Sequence, residues 1–275
     1  MESDSLQLIS SSLSEFSSLA AFGDFNNDKL TDVVVYSNNQ QKITILTSLK
    51  NTFTVYKSFS YSLNNVNLTI INVIPIDFNY DGVLDLMLFG DGNSKIYIRV
   101  ILSDGTIIEL PPSTSAQPFI TDFYGDLRPH LIGFPSDNDF LSIWSRSGNT
   151  TRIVLNLKPA CKFAHPNSNA FIDIDGDCLP DLVFFCDDET VQIWLNRKGN
   201  WQATKDLKMP SGSGKVSFAD IDGDGSNDLV FPSCGFFSSC FINISYNRQI
   251  QRNLDQLFIS DPEFSFAFEG DVYHF

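Results

Sequence analysis

Basic residues are scarce in this chain, and long apolar runs are missing. Its 275 residues contain 18 Lys and Arg against 33 Asp and Glu, which gives a formal net charge of −15. Because there is no basic stripe, nucleic acid is excluded as a partner. No run of about 18 apolar residues occurs, so the sequence predicts no direct membrane insertion by this chain. Residues 1–18 lack a basic start followed by an apolar stretch, so no signal peptide is predicted.

Histidine is also rare, with three residues at His130, His165 and His274. None of them adjoins a nucleophile motif or lies at metal-ligand spacing from a second histidine. We therefore predict that the chain is not an enzyme. Two alternatives stay open: a lectin-like propeller that binds glycans, with Trp144, Trp194 and Trp201 as candidate residues, and an accessory domain of a secreted hydrolase. Trp144 and Trp194 fall on predicted strands, which favours a place in the core.

The acidic residues concentrate in five nine-residue loops that recur about every 49 residues. Sixteen of the 33 acidic residues lie in these loops. The loops are Asp24–Asp32, Asp77–Asp85, Asp122–His130, Asp173–Asp181 and Asp220–Asp228. A period of this length is typical of one supersecondary unit copied in tandem.

The segments between the loops have β-type patterns. Apolar residues alternate with polar ones or form short runs, and no 3.6-residue period is sustained. A short strand enters each loop, a buried-type strand such as Val33–Tyr36 leaves it, and a second strand such as Ile43–Thr47 follows a polar turn. A third strand is predicted at Thr52–Phe59, Ile107–Leu110 and Thr151–Leu157. The predicted fold is an all-β propeller with five recognisable blades of four antiparallel strands. Five blades could close on themselves or be part of a larger, seven-bladed propeller.

Four of the loops carry Asp or Asn at positions 1, 3, 5 and 9, a spacing that lets oxygen ligands wrap one hard cation. Two carboxylates about 5 Å apart repel by about 3 kcal/mol at an effective dielectric of about 20, a cost that a divalent ion removes. Calcium accepts many flexible oxygen ligands and fits better than magnesium, whereas soft metals lack Cys or His ligands there. We predict up to four structural Ca²⁺ sites with the ligands Asp24, Asn26, Asp28 and Asp32; Asp77, Asn79, Asp81 and Asp85; Asp173, Asp175, Asp177 and Asp181; and Asp220, Asp222, Asp224 and Asp228.

The third loop departs from this pattern, because Tyr124 and His130 stand at positions 3 and 9. The sequence predicts a metal-free turn here, with Arg128 supplying positive charge. Turns that Asp, Asn and Gly favour through side-chain hydrogen bonds could explain a single acidic loop, but four complete loops make that explanation weak. An EF-hand is excluded because it needs Glu at position 12 and flanking helices.

Five cysteines, at positions 161, 178, 186, 234 and 240, lie in the last 115 residues. Cys234 and Cys240 are a candidate disulfide, and the odd number leaves one thiol over. Buried, reduced cysteines that act as small apolar side chains are the alternative. Three sequons, at Asn67, Asn149 and Asn243, are candidate glycosylation sites if the chain enters the secretory pathway.

Several segments resemble known proteins. The stretch AFGDFNNDKLTD at residues 21–32 resembles the FG-GAP repeat of the integrin α-subunit propeller, in which the loop binds structural calcium. Together with AFIDIDGDCLPDL at 170–182 and SFADIDGDGSNDLVFPSC at 217–234, it is similar to the ectodomain of the T-cell immunomodulatory protein (Linkin) family. The resemblance implies a type I, single-pass cell-surface protein with roles in cell adhesion and immune modulation, a protein partner at the cell surface and no enzymatic activity.

The chain is predicted to divide into a Ser-rich N-terminal segment at 1–18, FG-GAP blades at 19–245, and a C-terminal segment at 246–275 that is an incomplete further blade or a truncated tail. The family's signal peptide, later repeats and membrane anchor are not recognisable in the sequence, so a fragment or truncated isoform is expected. The predicted function is that of a calcium-stabilised, extracellular interaction module.

Overall fold

The computed structural model describes residues 18–39, 41–49, 52–61, 68–114, 116–137, 140–153, 160–164, 168–198, 200–234, 240–247 and 258–268. Within these ranges the regular structure consists of 21 β-strands and no helix, which confirms the all-β prediction. It follows that no described segment is a helix of the length and apolarity that a membrane crossing requires.

The strands form five antiparallel sheets, and in each sheet the neighbouring strands follow chain order. The first sheet contains β1 (Ser18–Gly23), β2 (Asp32–Ser37), β3 (Lys42–Leu49) and β4 (Thr52–Ser60). The second contains β5 (Thr69–Ile76), β6 (Asp85–Gly92), β7 (Lys95–Ile101) and β8 (Ile107–Ser113). The third contains β9 (Phe119–Thr121), β10 (His130–Gly133), β11 (Ser142–Trp144) and β12 (Thr150–Arg152).

The fourth sheet contains β13 (Ala170–Ile172), β14 (Asp181–Phe185), β15 (Thr190–Arg197) and β16 (Asn200–Ala203), and a short β17 (Leu207–Lys208) also pairs with β15. The fifth contains β18 (Ser217–Ala219), β19 (Asp228–Cys234), β20 (Cys240–Asn247) and β21 (Phe258–Phe268). Each acidic loop connects the first and second strands of its sheet. The four-stranded antiparallel unit that the sequence predicts is therefore present five times.

The strands next to the acidic loops are where the sequence predicts them, because they are the apolar ones. Every residue of β14 is buried, and so are the first six residues of β6, whereas the outer strand β4 contains only exposed and half-buried residues. The sequence did not predict β16, β17 or β21. Of these, β21 lies within the predicted C-terminal segment and pairs with β20.

The chain divides into two compact units, one with residues 1–115, 135–138 and 144–151, and the other with residues 116–134, 139–143 and 152–275. In the first unit, one buried cluster joins residues of the first and second sheets, among them Val34, Ile43 and Leu88. Tyr61 lies in the same cluster, and burial raises the pKa of its hydroxyl to about 12.

In the second unit, the fourth sheet is covered on both faces. Leu182 and Phe184 pack in a cluster with Ile132 of the third sheet. The alternate residue Val183 packs in a second cluster with Leu229 of the fifth sheet. Because successive side chains of a strand point to opposite faces, these two clusters lie on opposite sides of the fourth sheet. Consecutive face-to-face sheets of this kind are what stacked propeller blades require.

Candidate metal centre

All five loops share one pattern of positive φ angles. Loop positions 4 and 6 have positive φ angles in every loop: 60° and 70° at Asn27 and Lys29, 62° and 82° at Tyr80 and Gly82, 68° and 60° at Gly125 and Leu127, 76° and 65° at Gly176 and Cys178, and 75° and 88° at Gly223 and Gly225. Half of these positions are not glycine, and each non-glycine residue there costs about 1–2 kcal/mol. The third loop keeps the conformation although its side chains differ.

The aspartate at position 1 holds the turn by accepting backbone hydrogen bonds. In the fourth loop, Asp173 accepts the N–H groups of Gly176 and Cys178, both at 2.8 Å. In the third loop, Asp122 accepts those of Asp126 at 3.0 Å and Leu127 at 2.9 Å. In these bonds several backbone N–H groups point at one carboxylate, which fixes the position-1 side chain inside the turn.

In four loops the residue at position 9 is a buried aspartate, which joins the loop to the third strand of its sheet or to the turn that follows that strand. Asp181 accepts the N–H of Ile174 at 2.9 Å with Oδ2 and the N–H of Asn196 at 2.7 Å with Oδ1. The same pair of bonds is made by the other three position-9 aspartates, Asp32, Asp85 and Asp228. All four of these side chains are at most 1% exposed.

Burial makes the ionised form of this carboxylate costly. Burial raises the pKa of Asp181 to about 7. The backbone hydrogen bonds from Asn196 and Ile174 lower this pKa, and the nearby charges of Asp175 and Asp173 raise it. Burial likewise raises the pKa of Asp85. A cation beside position 9 would offset this cost by stabilising the charged form.

Positions 1, 3 and 9 come together in the fourth and fifth loops. One carboxylate oxygen each from Asp173, Asp175 and Asp181 lies within 4.8 Å of the others, and the same holds for Asp220, Asp222 and Asp228. The buried Oδ1 of Asp175 has no hydrogen-bond partner among the described residues. An all-oxygen cluster with an unsatisfied buried oxygen fits a hard divalent cation.

In the fourth loop, the aspartates at positions 3 and 5 form ion pairs with an arginine. The Arg197 guanidinium, which extends from β15, lies 2.5 Å from Oδ2 of Asp175 and 2.7 Å from Oδ2 of Asp177. These pairs raise the pKa of Arg197 further above its ordinary value. The loop therefore has a cation of its own, and the sequence analysis missed it because the residue lies 20 positions beyond Asp177.

In the first and second loops the asparagine at position 3 is hydrogen-bonded to the aspartate at position 5. The Nδ2 group of Asn26 donates to Oδ2 of Asp28 at 2.9 Å, and that of Asn79 donates to Oδ2 of Asp81 at 2.8 Å. The second loop also has a cation beside it, since Arg146 donates to the carbonyl of Asn79 at 3.1 Å. Its guanidinium carbon lies 4.8 Å from the centre of the Tyr80 ring.

The third loop brings together a mixed set of ligand atoms. Asp122, Asp126 and His130 each offer one atom within 4.8 Å of the others. Tyr124 at position 3 packs edge-on against the His130 ring, with centroids 4.8 Å apart. Arg128 is 60% exposed, and its Nε lies 4.0 Å from Oδ2 of Asp126.

Two cysteine pairs are within bonding distance. Cys234 and Cys240, which the sequence proposed, have sulfur atoms 2.22 Å apart, and Cys161 and Cys186 have sulfur atoms 1.97 Å apart. The sequence missed the second pair because its members are separated by 25 residues and no spacing motif connects them. Cys178, at position 6 of the fourth loop, is an exposed free thiol.

The candidate glycosylation sites lie in different surroundings. Asn149 is exposed at the turn between β11 and β12. Asn243 lies within β20, where its amide donates to Oγ of Ser233 at 2.7 Å. Asn67 lies outside the described residues.

Comparison with known proteins places these features in a family. The FG-GAP-like repeat family matches residues 24–88 and 173–231. These two segments contain the four loops with complete oxygen ligand sets and leave out the third loop. The T-cell immunomodulatory protein of Homo sapiens is 30% identical over 238 residues, which cover 78% of this chain and 38% of that protein. This chain is an FG-GAP-repeat relative of the T-cell immunomodulatory proteins.

Other relatives extend the similarity across distant organisms. The T-cell immunomodulatory protein homolog of Plasmodium falciparum (isolate 3D7) is 30% identical over 273 residues, which cover 80% of this chain and 37% of the homolog. Protein linkin of Caenorhabditis elegans is 25% identical over 247 residues, which cover 78% of this chain and 41% of linkin. The resemblance inferred from the sequence is thereby confirmed, and the chain spans less than half the length of these relatives.

Proposed function

We propose that this chain is a calcium-stabilised, extracellular module of propeller type that binds a protein partner at the cell surface. In this proposal it belongs to the ectodomain of a single-pass type I membrane protein and serves adhesion or immune modulation. The observation that carries the proposal is the repetition of one loop. Four loops have the same left-handed positions, a buried aspartate at position 9, and Asp or Asn at the other ligand positions.

Calcium is the ion that these loops fit best. All the side-chain donors at positions 1, 3, 5 and 9 are oxygen atoms, and the loops offer both charged and neutral ones. In the fourth loop the clustered carboxylate oxygens lie within 4.8 Å of one another, where each pair repels by about 3 kcal/mol at an effective dielectric of about 20. Binding a divalent ion removes this repulsion and couples the loop to folding.

An extracellular location is supported by the cysteines and the relatives. Two disulfides within the described residues are typical of an oxidising compartment. Asn149 is an exposed sequon that a glycosyltransferase could reach. The relatives named T-cell immunomodulatory protein and linkin are consistent with a cell-surface role.

An interaction role is favoured over catalysis or sugar binding. Of the three histidines, His130 is part of the third loop, and the other two lie outside the described residues. Trp144, Trp194 and Trp201 are at most 6% exposed, so none presents a ring face on which a sugar could stack. Burial of Trp144 and Trp194 confirms the expectation that they belong to the core.

Calcium titration tests this proposal. Thermal unfolding of the purified chain is followed in EDTA and at increasing Ca²⁺, and isothermal titration calorimetry counts the bound ions. We expect up to four equivalents and a rising melting temperature, since a site at 100 times its Kd adds about 2.7 kcal/mol. Asp173→Asn and Asp220→Asn should each remove one equivalent.

The matched control is Asp187→Asn, which removes an exposed carboxylate outside the loops and should leave the stoichiometry unchanged. A melting temperature that does not respond to excess Ca²⁺ would rule out the calcium part of the proposal. Binding of the labelled chain to intact cells, compared in Ca²⁺ and in EDTA, tests the interaction part; equal binding by the chain and by an unrelated acidic protein would contradict it.

A further inference from the structure

We propose that the third loop is a second kind of metal site, which binds a borderline divalent ion such as zinc through Asp122, Asp126 and His130. This site is separate from the four calcium loops. It goes beyond the calcium proposal because its ligand set contains nitrogen and because its loop lacks the oxygen ligand at position 3.

The three side chains are already within reach of one ion. Each offers a ligand atom within 4.8 Å of the other two. Zinc binds carboxylate oxygen and imidazole nitrogen at about 2.0–2.2 Å, so ligands around one ion are separated by about 3.3 Å in a tetrahedral arrangement. Small rotations of exposed side chains such as Asp126 can bring the ligand atoms from separations of up to 4.8 Å to about 3.3 Å. The loop backbone is held by the hydrogen bonds from the N–H groups of Asp126 and Leu127 to Asp122, so it need not move.

The His130 ring supplies an observation that is independent of the acidic residues. Its Nδ1 atom is buried, and no described residue forms a hydrogen bond with it. A buried polar atom without a partner costs about 1–3 kcal/mol, and a bond from Nδ1 to a metal ion would remove this cost. The edge-on contact with Tyr124, at an interplanar angle of 89°, restricts the orientation of the ring.

The ligand types select against calcium. Calcium requires six to eight oxygen ligands, but this loop places Tyr124 at position 3 and an imidazole at position 9. Imidazole combined with carboxylate suits zinc and its neighbours in the first transition series. Three protein ligands leave a fourth position that water would fill.

The test uses the purified full chain in excess Ca²⁺, so that the calcium loops are saturated before Zn²⁺ is added. Calorimetry should count one further equivalent of Zn²⁺, and Co²⁺ used as a probe should give visible absorption bands from a site that contains nitrogen. His130→Gln and Asp126→Asn should each weaken Zn²⁺ binding at least tenfold. Asp187→Asn, which removes an exposed carboxylate outside the loops, is the matched control and should leave Zn²⁺ binding unchanged.

A gain of function provides the second measurement. His130→Asp replaces the nitrogen ligand with oxygen and should shift the third loop from Zn²⁺ towards Ca²⁺, so that Zn²⁺ affinity falls while a weak additional Ca²⁺ equivalent is gained. Cys178→Ser excludes the exposed thiol as the source of the signal and should not change it. The proposal is overturned if no Zn²⁺ equivalent is found in excess Ca²⁺, or if the equivalent survives in both His130→Gln and Asp126→Asn. Calcium stoichiometry in the same samples is a separate readout, so this inference and the calcium proposal can fail independently.

Discussion

At the scale of single residues, Arg197 shows that a loop can carry its own cation. Its guanidinium contacts carboxylates at positions 3 and 5 of the fourth loop, at 2.5 and 2.7 Å. The same two carboxylates are among the predicted ligands of calcium. We therefore expect Arg197 to stabilise the calcium-free loop and to compete with calcium for these carboxylates.

Arg197→Gln should consequently have opposite effects in the two states. The calcium affinity of the fourth loop should rise about fivefold, because a competitor worth about 1 kcal/mol is removed. In EDTA the melting temperature should fall, because the carboxylates lose their counterion. Calorimetry and thermal unfolding measure the two effects.

Lys198→Gln makes the same charge change one residue further on, at an exposed side chain, and should alter neither quantity. A lower calcium affinity in Arg197→Gln would mean that Arg197 positions the ligands instead of competing with the ion. In that case Arg197 would be part of the calcium-bound loop.

At the scale of the element, the aspartates of one loop have two separable tasks. Asp228 is fully buried and accepts the N–H groups of Ile221 at 2.9 Å and Asn247 at 2.8 Å, which ties the loop to β20. Asp222 is exposed and belongs to the carboxylate cluster. The contacts of Asp228 are present without an ion, whereas the task that we propose for Asp222 is to bind one.

We therefore expect Asp228→Asn and Asp222→Asn to differ in their dependence on calcium. Asp228→Asn should destabilise the chain by about 1–3 kcal/mol in both Ca²⁺ and EDTA, because an amide nitrogen would face one of the two buried N–H donors. Asp222→Asn should destabilise it in Ca²⁺ only. Urea unfolding under both conditions gives the two free energies of unfolding. Equal losses for both variants in EDTA would show that the two positions do not have separate tasks.

The sequence predicts an element well when the pattern that specifies it is local. The strands beside the loops are apolar runs bounded by Asp-rich turns, so their positions are recovered within a few residues. The outer strand β16 is short and has only Trp201 buried, and Asp261 and Pro262 interrupt the strand pattern of β21, so neither gave a recognisable pattern.

The candidate site divides in the same way. Positions 1, 3, 5 and 9 are readable because oxygen ligands recur at fixed spacing along the chain. Arg197 and the Cys161–Cys186 pair depend on the folding of distant segments, so no local pattern reveals them. The third loop was predicted to be a metal-free turn because His130 breaks the oxygen pattern; the structure shows that it nevertheless groups with Asp122 and Asp126.

At the scale of the whole molecule, the Cys161–Cys186 disulfide and the proposed calcium loops lie in different parts of the repeat. The acidic loops join the first and second strands of a sheet, whereas Cys161–Cys186 joins the segment before β13 to the residue just after β14. Phe163, two residues after Cys161, packs in the cluster between the third and fourth sheets. The disulfide therefore links two segments that the acidic loops do not link.

The double variant Cys161→Ser/Cys186→Ser should lower stability by about 3 kcal/mol, because the bridge closes a loop of 25 residues in the unfolded chain. For a chain of this size that corresponds to a fall in melting temperature of roughly 5 °C. Cys178→Ser removes only an exposed free thiol and should leave the melting temperature unchanged. Because the bridge lies outside the loops, the fall should be the same in Ca²⁺ and in EDTA. A fall seen only in EDTA would instead mean that calcium and the disulfide stabilise one shared element, and that the fourth loop and the Cys161 segment fold as a single cooperative unit.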